Sequence, residues 1–377
     1  MFSINGPLAS PGHSPRVLLV TRCSIAAGPS CIKNEFEALD TSYAVTVAVR
    51  DRAAPVEEEL ERLEAVAREA RADILHTHYL GEIAFIARLA ELTGLPFTVR
   101  THSTDTTALQ PRGLMLRLRQ LMQMEAPLER RPEFLNVVRA VHSERCLGVL
   151  ALPCARPWLA RAGLPQDKLI DCFPAMRFRA FHDRSPNGDA IMNIGLAGSR
   201  KARPDFMRLA AAMQGAKFDL YADAEHLPRL ARRNSDLRAG VDLFELPPSE
   251  QRPAEYKAHR WLVYTGDSDL PALGWPVAIA EAQAAGVGVC MPRLRPDLAE
   301  YVGEGAGVLY DTIDELPGIV AGSVPEEMRE RGFRQARKSD IEQHLHCLTD
   351  LWDVAVPRPA RPAAIREFPA AGQEMLP

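Results

Sequence analysis

Short apolar segments alternate with helical segments along most of this 377-residue sequence, and this alternation is the strongest constraint on its fold. Apolar runs such as Arg16–Thr21 and Ile74–Thr77 have the length and composition of buried strands. Each is followed by a segment with apolar residues at helical spacing. Strands that alternate with helices form βαβ units, whose strands are parallel. The sequence therefore predicts an α/β fold built on parallel sheets.

The alternation runs through two halves of the chain, which predicts two Rossmann-like domains that face each other across a cleft. A chain of 377 residues is ordinary for two domains. The polar, turn-rich segment Phe181–Asp189 separates the halves. The predicted parts are a flexible N-terminus (1–15), an N-terminal domain (16–180), a C-terminal domain (181–340), a helix packing back toward the N-terminal domain (341–356) and a disordered tail (357–377).

Composition and charge exclude several classes of protein. A net charge of −4 gives no basic field for nucleic acid. The seven cysteines include no C-x-x-C pair, which indicates reduced thiols rather than disulfides or a cysteine zinc site. Residues 1–15 lack the pattern of a signal peptide, and no uncharged apolar run reaches the ~18 residues of a membrane span. We therefore expect a cytoplasmic protein.

The segment Pro111–Arg131 combines leucines and methionines with several arginines. One interpretation is a basic amphipathic helix in peripheral contact with the inner membrane face or with a lipid-linked substrate. The other is a helix that packs on its own domain with a solvated basic face. We favour the second, because Glu125 and Glu129 dilute the positive charge.

A single carboxylate marks the stretch Leu270–Pro292, which is typical of a turn, a helix and a buried strand. Pro276 suits the first turn of the helix and Gly286 its end. Glu281 is the only charge among small apolar residues, so it would need a partner if it were buried. A ligand hydroxyl is one such partner. The alternative is that Glu281 lies on the exposed side of the helix.

A loop that could bind phosphate follows the predicted strand at the start of the second half. The segment Asn193–Pro204 contains glycines, three basic residues and the start of a helix. Backbone N–H groups at a helix start and charged side chains suit phosphate oxygens. A solvated basic turn is the alternative. The residues concerned are Gly195, Arg200, Lys201 and Arg203.

Histidines and one aspartate follow two predicted strands of the first half. His76 and His78 share a face of an extended segment, and His102 and Asp105 follow the next strand. These side chains have the chemistry of zinc ligands, but no recognised zinc motif supports a metal site. We favour histidines that line the cleft as hydrogen-bonding groups, with no metal.

In this order, these segments resemble those of retaining glycosyltransferases of family 4, which have the GT-B fold. The resemblance covers residues 16–352. The segment Ala72–His78 resembles the family's D-[IV]-[IV]-H-x-H motif, and Phe97–Asp105 resembles T-x-H-G-x-D. Leu164–Ile170 is similar to the family's approach to the linker between domains. Trp275–Gly286 resembles the segment that ends in L-E-A-x-A-x-G.

The resemblance implies a role for each matching residue. His102 would approach the transferred sugar, Lys201 and nearby arginines would hold the donor diphosphate, and Glu281 would bind the nucleotide ribose. His76, His78 and Asp105 would line the acceptor side of the cleft. The donor would be a nucleotide-diphosphate sugar used as a co-substrate, the acceptor a glycan or lipid-linked molecule, and no metal or other cofactor would be required.

Two positions depart from the family's motifs. Leu273 replaces a glutamate usually found eight positions before Glu281, and Leu196 replaces an arginine of the diphosphate segment. Asp267 or Asp269, together with Trp275, would then supply the sugar contacts. We expect a retaining hexosyltransferase of polysaccharide biosynthesis. The alternatives are a non-catalytic relative that binds a sugar nucleotide or glycan and, less favoured, a metal-dependent hydrolase.

Overall fold

The computed structural model describes residues 15–25, 30–40, 42–102, 132–194, 205–265 and 275–356. They form two six-stranded parallel sheets with flanking helices, which confirms the predicted fold class. The predictions for 1–14, for the basic segment Pro111–Arg131 and for 357–377 lie outside the described residues.

The first sheet has the strand order β2-β1-β3-β4-β5-β6. Its strands are β1 (Arg16–Thr21), β2 (Ala44–Val49), β3 (Ile74–His78), β4 (Phe97–Arg100), β5 (Cys146–Ala151) and β6 (Leu169–Asp171). Its helices are α1 (Ser30–Asp40), α2 (Val56–Glu69), α3 (Ile83–Thr93), α4 (Pro132–His142), α5 (Arg156–Arg161) and the short α6 (Phe178–Phe181). Helix α4 was not predicted from the sequence.

The second sheet has the strand order β12-β11-β10-β7-β8-β9. Its strands are β7 (Ala190–Ile194), β8 (Phe218–Ala222), β9 (Asp242–Glu245), β10 (His259–Val263), β11 (Gly288–Pro292) and β12 (Val308–Tyr310). Its helices are α7 (Asp205–Ala212), α8 (Leu227–Leu237), α9 (Arg252–Lys257), α10 (Val277–Ala284), α11 (Leu298–Val302), α12 (Pro317–Val320) and α13 (Glu326–Ala336). A last helix, α14 (Ile341–Ala355), follows.

In each sheet the sequence order of the strands reverses at one point, although all strands run parallel. In the first sheet β1 lies beside both β2 and β3, and in the second β7 lies beside both β8 and β10. The crossovers on the two sides of such a point lie on opposite faces, which leaves a crevice at the carboxyl ends of the strands. Ligands of open α/β sheets bind at this place. The residues after β1, β3, β7 and β10 are therefore the first to consider for a site.

Helix α14 returns from the second sheet to the first. The backbone around Met176 pairs with Asp340, and the Asp340 carboxylate accepts a hydrogen bond from the N–H of Glu342 at the start of α14. The buried Trp352 then packs edge-on against Tyr43 and donates its indole N–H to Thr98 Oγ1 at 3.1 Å. Helix α14 thus packs on the face of the first sheet that α1 also covers.

None of the helices in the described ranges combines the length and the apolar character needed to cross a membrane. The last part of the described chain divides into α13, a short 3-10 turn at Arg337–Ser339 and α14, because Asp340 adopts an extended conformation and caps the next helix.

Candidate functional site

A pair of stacked histidines lies at the carboxyl edge of the first sheet. His78 ends β3 and pairs in register with Arg100, which ends β4, and His102 follows two residues later. His78 Nδ1 lies 2.9 Å from His102 Nε2, and the two rings stack with their centroids 5.1 Å apart. His78 is buried and His102 is partly exposed. The structure therefore brings together two of the predicted site residues.

A buried glutamate that the sequence analysis missed organises this pair. Glu35 on α1 is fully buried, and its carboxylate accepts a hydrogen bond from the Arg100 guanidinium. Its Oε1 atom lies 2.7 Å from His76 Nε2 and 3.4 Å from His78 Nε2. Burial opposes ionisation of Glu35, but Arg100 and the two histidines together lower its pKa well below the usual value. Glu35 and Arg100 thus form a buried ion pair beneath the histidines.

The spacing of apolar residues on α1 is the signal that could have revealed Glu35. It lies three residues after Ile32 and four before Leu39, both of which are buried. Residues at these spacings share one face of a helix, so Glu35 belongs to the face that packs on the sheet. A charge on such a face needs a partner, and Arg100 supplies it.

Burial keeps the two stacked histidines neutral near neutral pH. It lowers the pKa of His78 well below its usual value, although the charge of Glu35 acts in the opposite direction. Burial, with a further contribution from the charge of Arg100, lowers the pKa of His102 to about 4. A neutral imidazole has one donor and one acceptor nitrogen, so this pair can orient and accept hydrogen bonds without adding charge.

Among the described residues, Glu35, His76 and His78 also present potential metal-ligating atoms within 4.8 Å of one another. His102 and Asp105 were the partners predicted for His76 and His78 in the metal interpretation. The structure instead places Glu35 beside them, and the Arg100 guanidinium already binds that carboxylate. A metal cation bound there would lie close to the buried Arg100 guanidinium, and repulsion between the two positive charges would weaken its binding. The requirement for no metal stays a prediction.

Tyr79 also packs against His102. Its ring contacts the Arg22 guanidinium, whose Cζ lies 4.4 Å from the ring centroid, and the His102 imidazole, at a centroid distance of 4.5 Å. Its backbone has φ +74° and ψ 129°, a conformation that residues other than glycine rarely adopt. Its N–H donates to the carbonyl of Arg100, and its carbonyl accepts from the N–H of Glu82. A strained residue therefore sits directly beside the candidate site.

Glu281 on α10 is buried, so the interpretation that placed it on the exposed side of its helix is wrong. Its Oε2 accepts a hydrogen bond of 2.9 Å from the hydroxyl of Tyr256 on α9. Burial raises the pKa of Glu281, while Arg252 and the Tyr256 hydrogen bond act against this rise. The carboxylate has the partner that its setting demanded, and this partner is a protein group. Binding of a ribose stays a prediction.

Trp275 lies just before α10 and is buried. Its ring stacks on Tyr301 with a centroid distance of 4.8 Å, and its N–H donates to Asp297 at 2.8 Å. Phe173, from the segment between the two sheets, packs against it at 4.9 Å. These contacts are with protein groups, and they fix the start of α10 relative to the segment that joins the halves. A contact between Trp275 and a sugar stays a prediction.

The other predicted site residues, of the donor side and of the acceptor side, lie outside the described ranges, but the strand ends that precede their segments are described. Gly195, Arg200, Lys201 and Arg203 follow β7, Asp267 and Asp269 follow β10, and Asp105 follows His102. Asn193 in β7 donates from Nδ2 to the carbonyl of Val263 at 2.7 Å and to Thr265 Oγ1 at 3.1 Å. This buried amide ties the ends of β7 and β10 together, so both segments leave the sheet at one point.

Comparison with known proteins gives structural similarity only. No protein-family model matches the sequence, and no curated protein matches it. Anabaena Alr3699/HepE, solved in complex with UDP and glucose, superimposes with a TM-score of 0.65 at 13% identity over 89% of this chain and 99% of its own. Sucrose-phosphate synthase from Thermosynechococcus elongatus gives 0.68 at 15% identity over 91% and 100%.

The apo form of WaaB, a lipopolysaccharide outer core galactosyltransferase, gives a TM-score of 0.60 at 10% identity over 89% of this chain and 99% of its own. These proteins share with this chain two parallel, helix-flanked sheets along nearly their whole length. At such low identity the similarity establishes the fold and nothing finer. The chain therefore has the GT-B fold, with its candidate site at the carboxyl edges of the two Rossmann-like sheets.

Proposed function

We propose that the protein is a glycosyltransferase that moves a hexose from a nucleotide-diphosphate sugar to a hydroxyl of a glycan or lipid-linked acceptor, with retention of configuration. The observation that carries the proposal is the neutral His78–His102 pair, held at the carboxyl edge of the first sheet of a GT-B fold. The structure of HepE with UDP and glucose supports a nucleotide-sugar donor.

The proposed donor site lies where β7 and β10 end. Gly195, Arg200, Lys201 and Arg203 hold the diphosphate, and Glu281 binds the ribose. Asp267, Asp269 and Trp275 contact the sugar. Positive charge and helix N–H groups near the diphosphate stabilise the negative charge that develops as it leaves. The Asn193 amide supports this role, because it fixes the origin of both segments.

The proposed reaction needs no protein base and no metal. The acceptor hydroxyl approaches C1 of the sugar on the face from which the diphosphate departs. The bond between C1 and the phosphate oxygen breaks, the bond between C1 and the acceptor oxygen forms, and the hydroxyl proton passes to the departing diphosphate. His102 orients the sugar by a hydrogen bond, and His76, His78 and Asp105 line the acceptor side. Neutral histidines suit this task, since they leave the positive charge on the diphosphate side.

Substitutions of two predicted donor-site residues in the second half of the chain test the donor site. Lys201→Ala and Glu281→Gln should each lower kcat/KM at least about 100-fold, the scale of losing a strong contact made in the transition state. The assay measures nucleotide release from a panel of nucleotide-diphosphate sugars. Lys217→Ala is the matched control. Lys217 is exposed and precedes the amino end of β8, away from the carboxyl ends of the strands. Near-wild-type turnover in both site variants would contradict the assignment.

A second candidate function is binding without transfer. Leu196 and Leu273 motivate it, and so does the hydrogen bond that engages the Glu281 carboxylate with Tyr256. Calorimetry with nucleotide diphosphates, followed by assays for sugar release, separates the two functions. Tight binding with neither transfer nor hydrolysis for any acceptor in the panel would favour the binding protein.

A further inference from the structure

We propose that Glu35 is a positioning residue that acts through His78 to fix His102 with its proton on Nε2 and its acceptor lone pair on Nδ1. This inference rests on the proposed function, since it assigns a role to a residue behind the group that orients the sugar. Glu35 itself is buried and does not reach the site edge. Its influence passes through the two ring nitrogens of His78.

The first step is the direction of the hydrogen bonds around His76. The Trp352 indole can only donate, and its Nε1 lies 3.1 Å from Thr98 Oγ1. The ionised Glu35 carboxylate can only accept, so His76 Nε2, 2.7 Å from Glu35 Oε1, carries the hydrogen of that bond. The Thr98 hydroxyl accepts from Trp352 and can direct its own hydrogen to His76 Nδ1, 2.8 Å away. A chain of donors thus converges on the Glu35 carboxylate.

The second step is the proton of His78. Its Nε2 lies 3.4 Å from the same carboxylate oxygen, a contact that is electrostatic rather than a well-aligned hydrogen bond. An ionised carboxylate only accepts, so a lone pair on this nitrogen would face a buried negative charge. The low dielectric of the interior increases that repulsion. The His78 proton is therefore on Nε2, and its Nδ1 is an acceptor.

The third step is the proton of His102, which the acceptor nitrogen of His78 determines. Its Nε2 is 2.9 Å from His78 Nδ1, so His102 supplies the hydrogen of this bond. The neutral His102 ring has one proton, and Nδ1 is then its acceptor nitrogen. An acceptor nitrogen suits a sugar hydroxyl, which can donate, and does not suit a phosphate oxygen, which cannot. Stacking on His78 and contact with Tyr79 keep the ring in this orientation.

The alternative role for Glu35 is structural, as the counter-ion of Arg100. Two variants separate the roles. Glu35→Gln removes the negative charge that faces His78. His78→Phe leaves the Glu35–Arg100 pair in place and removes the ring nitrogens through which Glu35 acts on His102, so it tests the inference if Glu35→Gln fails to fold. Glu37→Gln is the matched control, because Glu37 lies two residues further along α1 and pairs with the exposed Arg177 instead.

The kinetic test is a double-mutant cycle. We expect Glu35→Gln and His78→Phe to lower kcat about tenfold or more with a much smaller change in KM for the donor. Neither should lower kcat further in a His102→Ala background, because their effect passes through His102. Equal losses in the two backgrounds would show a structural role and overturn the inference.

The second test reads the proton directly and needs no activity. Nitrogen-15 NMR of histidine-labelled protein, with His102 assigned by the loss of its signals in His102→Ala, distinguishes a protonated from an unprotonated ring nitrogen. We expect the His102 proton on Nε2 in the wild type and in Glu37→Gln, and a mixture of tautomers in His78→Phe. A proton on Nδ1 in the wild type would overturn the inference, even if the protein proves to be a glycosyltransferase. Correct tautomers without any transfer would instead reject the proposed function.

Discussion

Tyr79 shows at the scale of one residue how the fold stores strain beside the site. Its positive φ places the Cβ atom in a crowded position, and two backbone hydrogen bonds hold it there. Its ring contacts both Arg22 and His102. A glycine would adopt this backbone without the steric penalty but would offer no ring.

Substitution at this position should invert the usual ranking of alanine and glycine. Tyr79→Gly should be more stable than Tyr79→Ala by about 1 kcal/mol, because both lose the ring but only alanine retains the strain. The free energy of unfolding in urea measures the difference. Val49 is the matched control, an exposed strand residue with ordinary geometry at which alanine should be more stable than glycine. A Tyr79→Ala protein as stable as Tyr79→Gly would contradict the strain.

At the scale of the element, helix α14 is part of the first half although it lies at the end of the described chain. Trp352 is fully buried and joins Tyr43, Thr98 and His76. Through Thr98 it also begins the hydrogen-bond chain that leads to Glu35. The helix therefore stabilises the first sheet and the histidine cluster together.

Truncation of this side chain should destabilise the protein strongly. Trp352→Ala should lower the free energy of unfolding by about 3–5 kcal/mol, because it leaves a large cavity. Trp352→Phe should cost less, since it retains much of the packing and loses the N–H donor. Denaturant unfolding measures both. Val354 is the control on the same helix: its side chain is 83% exposed, so Val354→Ala should change stability by less than about 0.5 kcal/mol. Similar effects of Trp352→Ala and Val354→Ala on the free energy of unfolding would contradict the burial of Trp352 against the first sheet.

At the scale of the whole molecule, buried neutral histidines connect stability to pH. Burial lowers the pKa values of His102 and His344 from 6.5 to about 4 in the folded protein. Between these values the unfolded chain binds more protons than the folded one, so stability falls as the pH falls. Burial raises the pKa of Glu281, which offsets part of this loss. The Glu35 pKa is depressed, so its stabilisation is lost only at still lower pH.

We expect the free energy of unfolding to decrease between about pH 6.5 and about pH 4, by roughly 3 kcal/mol for each of these two histidines. Urea titrations at several pH values measure it. His344→Gln should reduce the decrease, because glutamine does not titrate and burial is the main cause of the lowered pKa of His344. Constant stability across this range would contradict the neutral state of the histidines.

Much of the fold and part of the site could be predicted from the sequence. The apolar runs Arg16–Thr21 and Ile74–Thr77 locate β1 and β3 to within one residue, because hydrophobic periodicity is a local property. His76, His78 and His102 could be placed at one edge, since parallel strands end together. The helix α4 was missed. For the predicted donor-site segments after β7 and β10, only the ends of these strands, which Asn193 joins, are described.

Local patterns in the sequence are enough to predict the two parallel sheets and the edge that carries the histidines. Only packing in the folded chain places Glu281 against Tyr256 and Glu35 beneath the histidine pair. Glu35 meets His76 and Arg100 from 41 and 65 positions away in the chain. The partner of a buried charge is set by packing between distant elements, and no local pattern of residues records it.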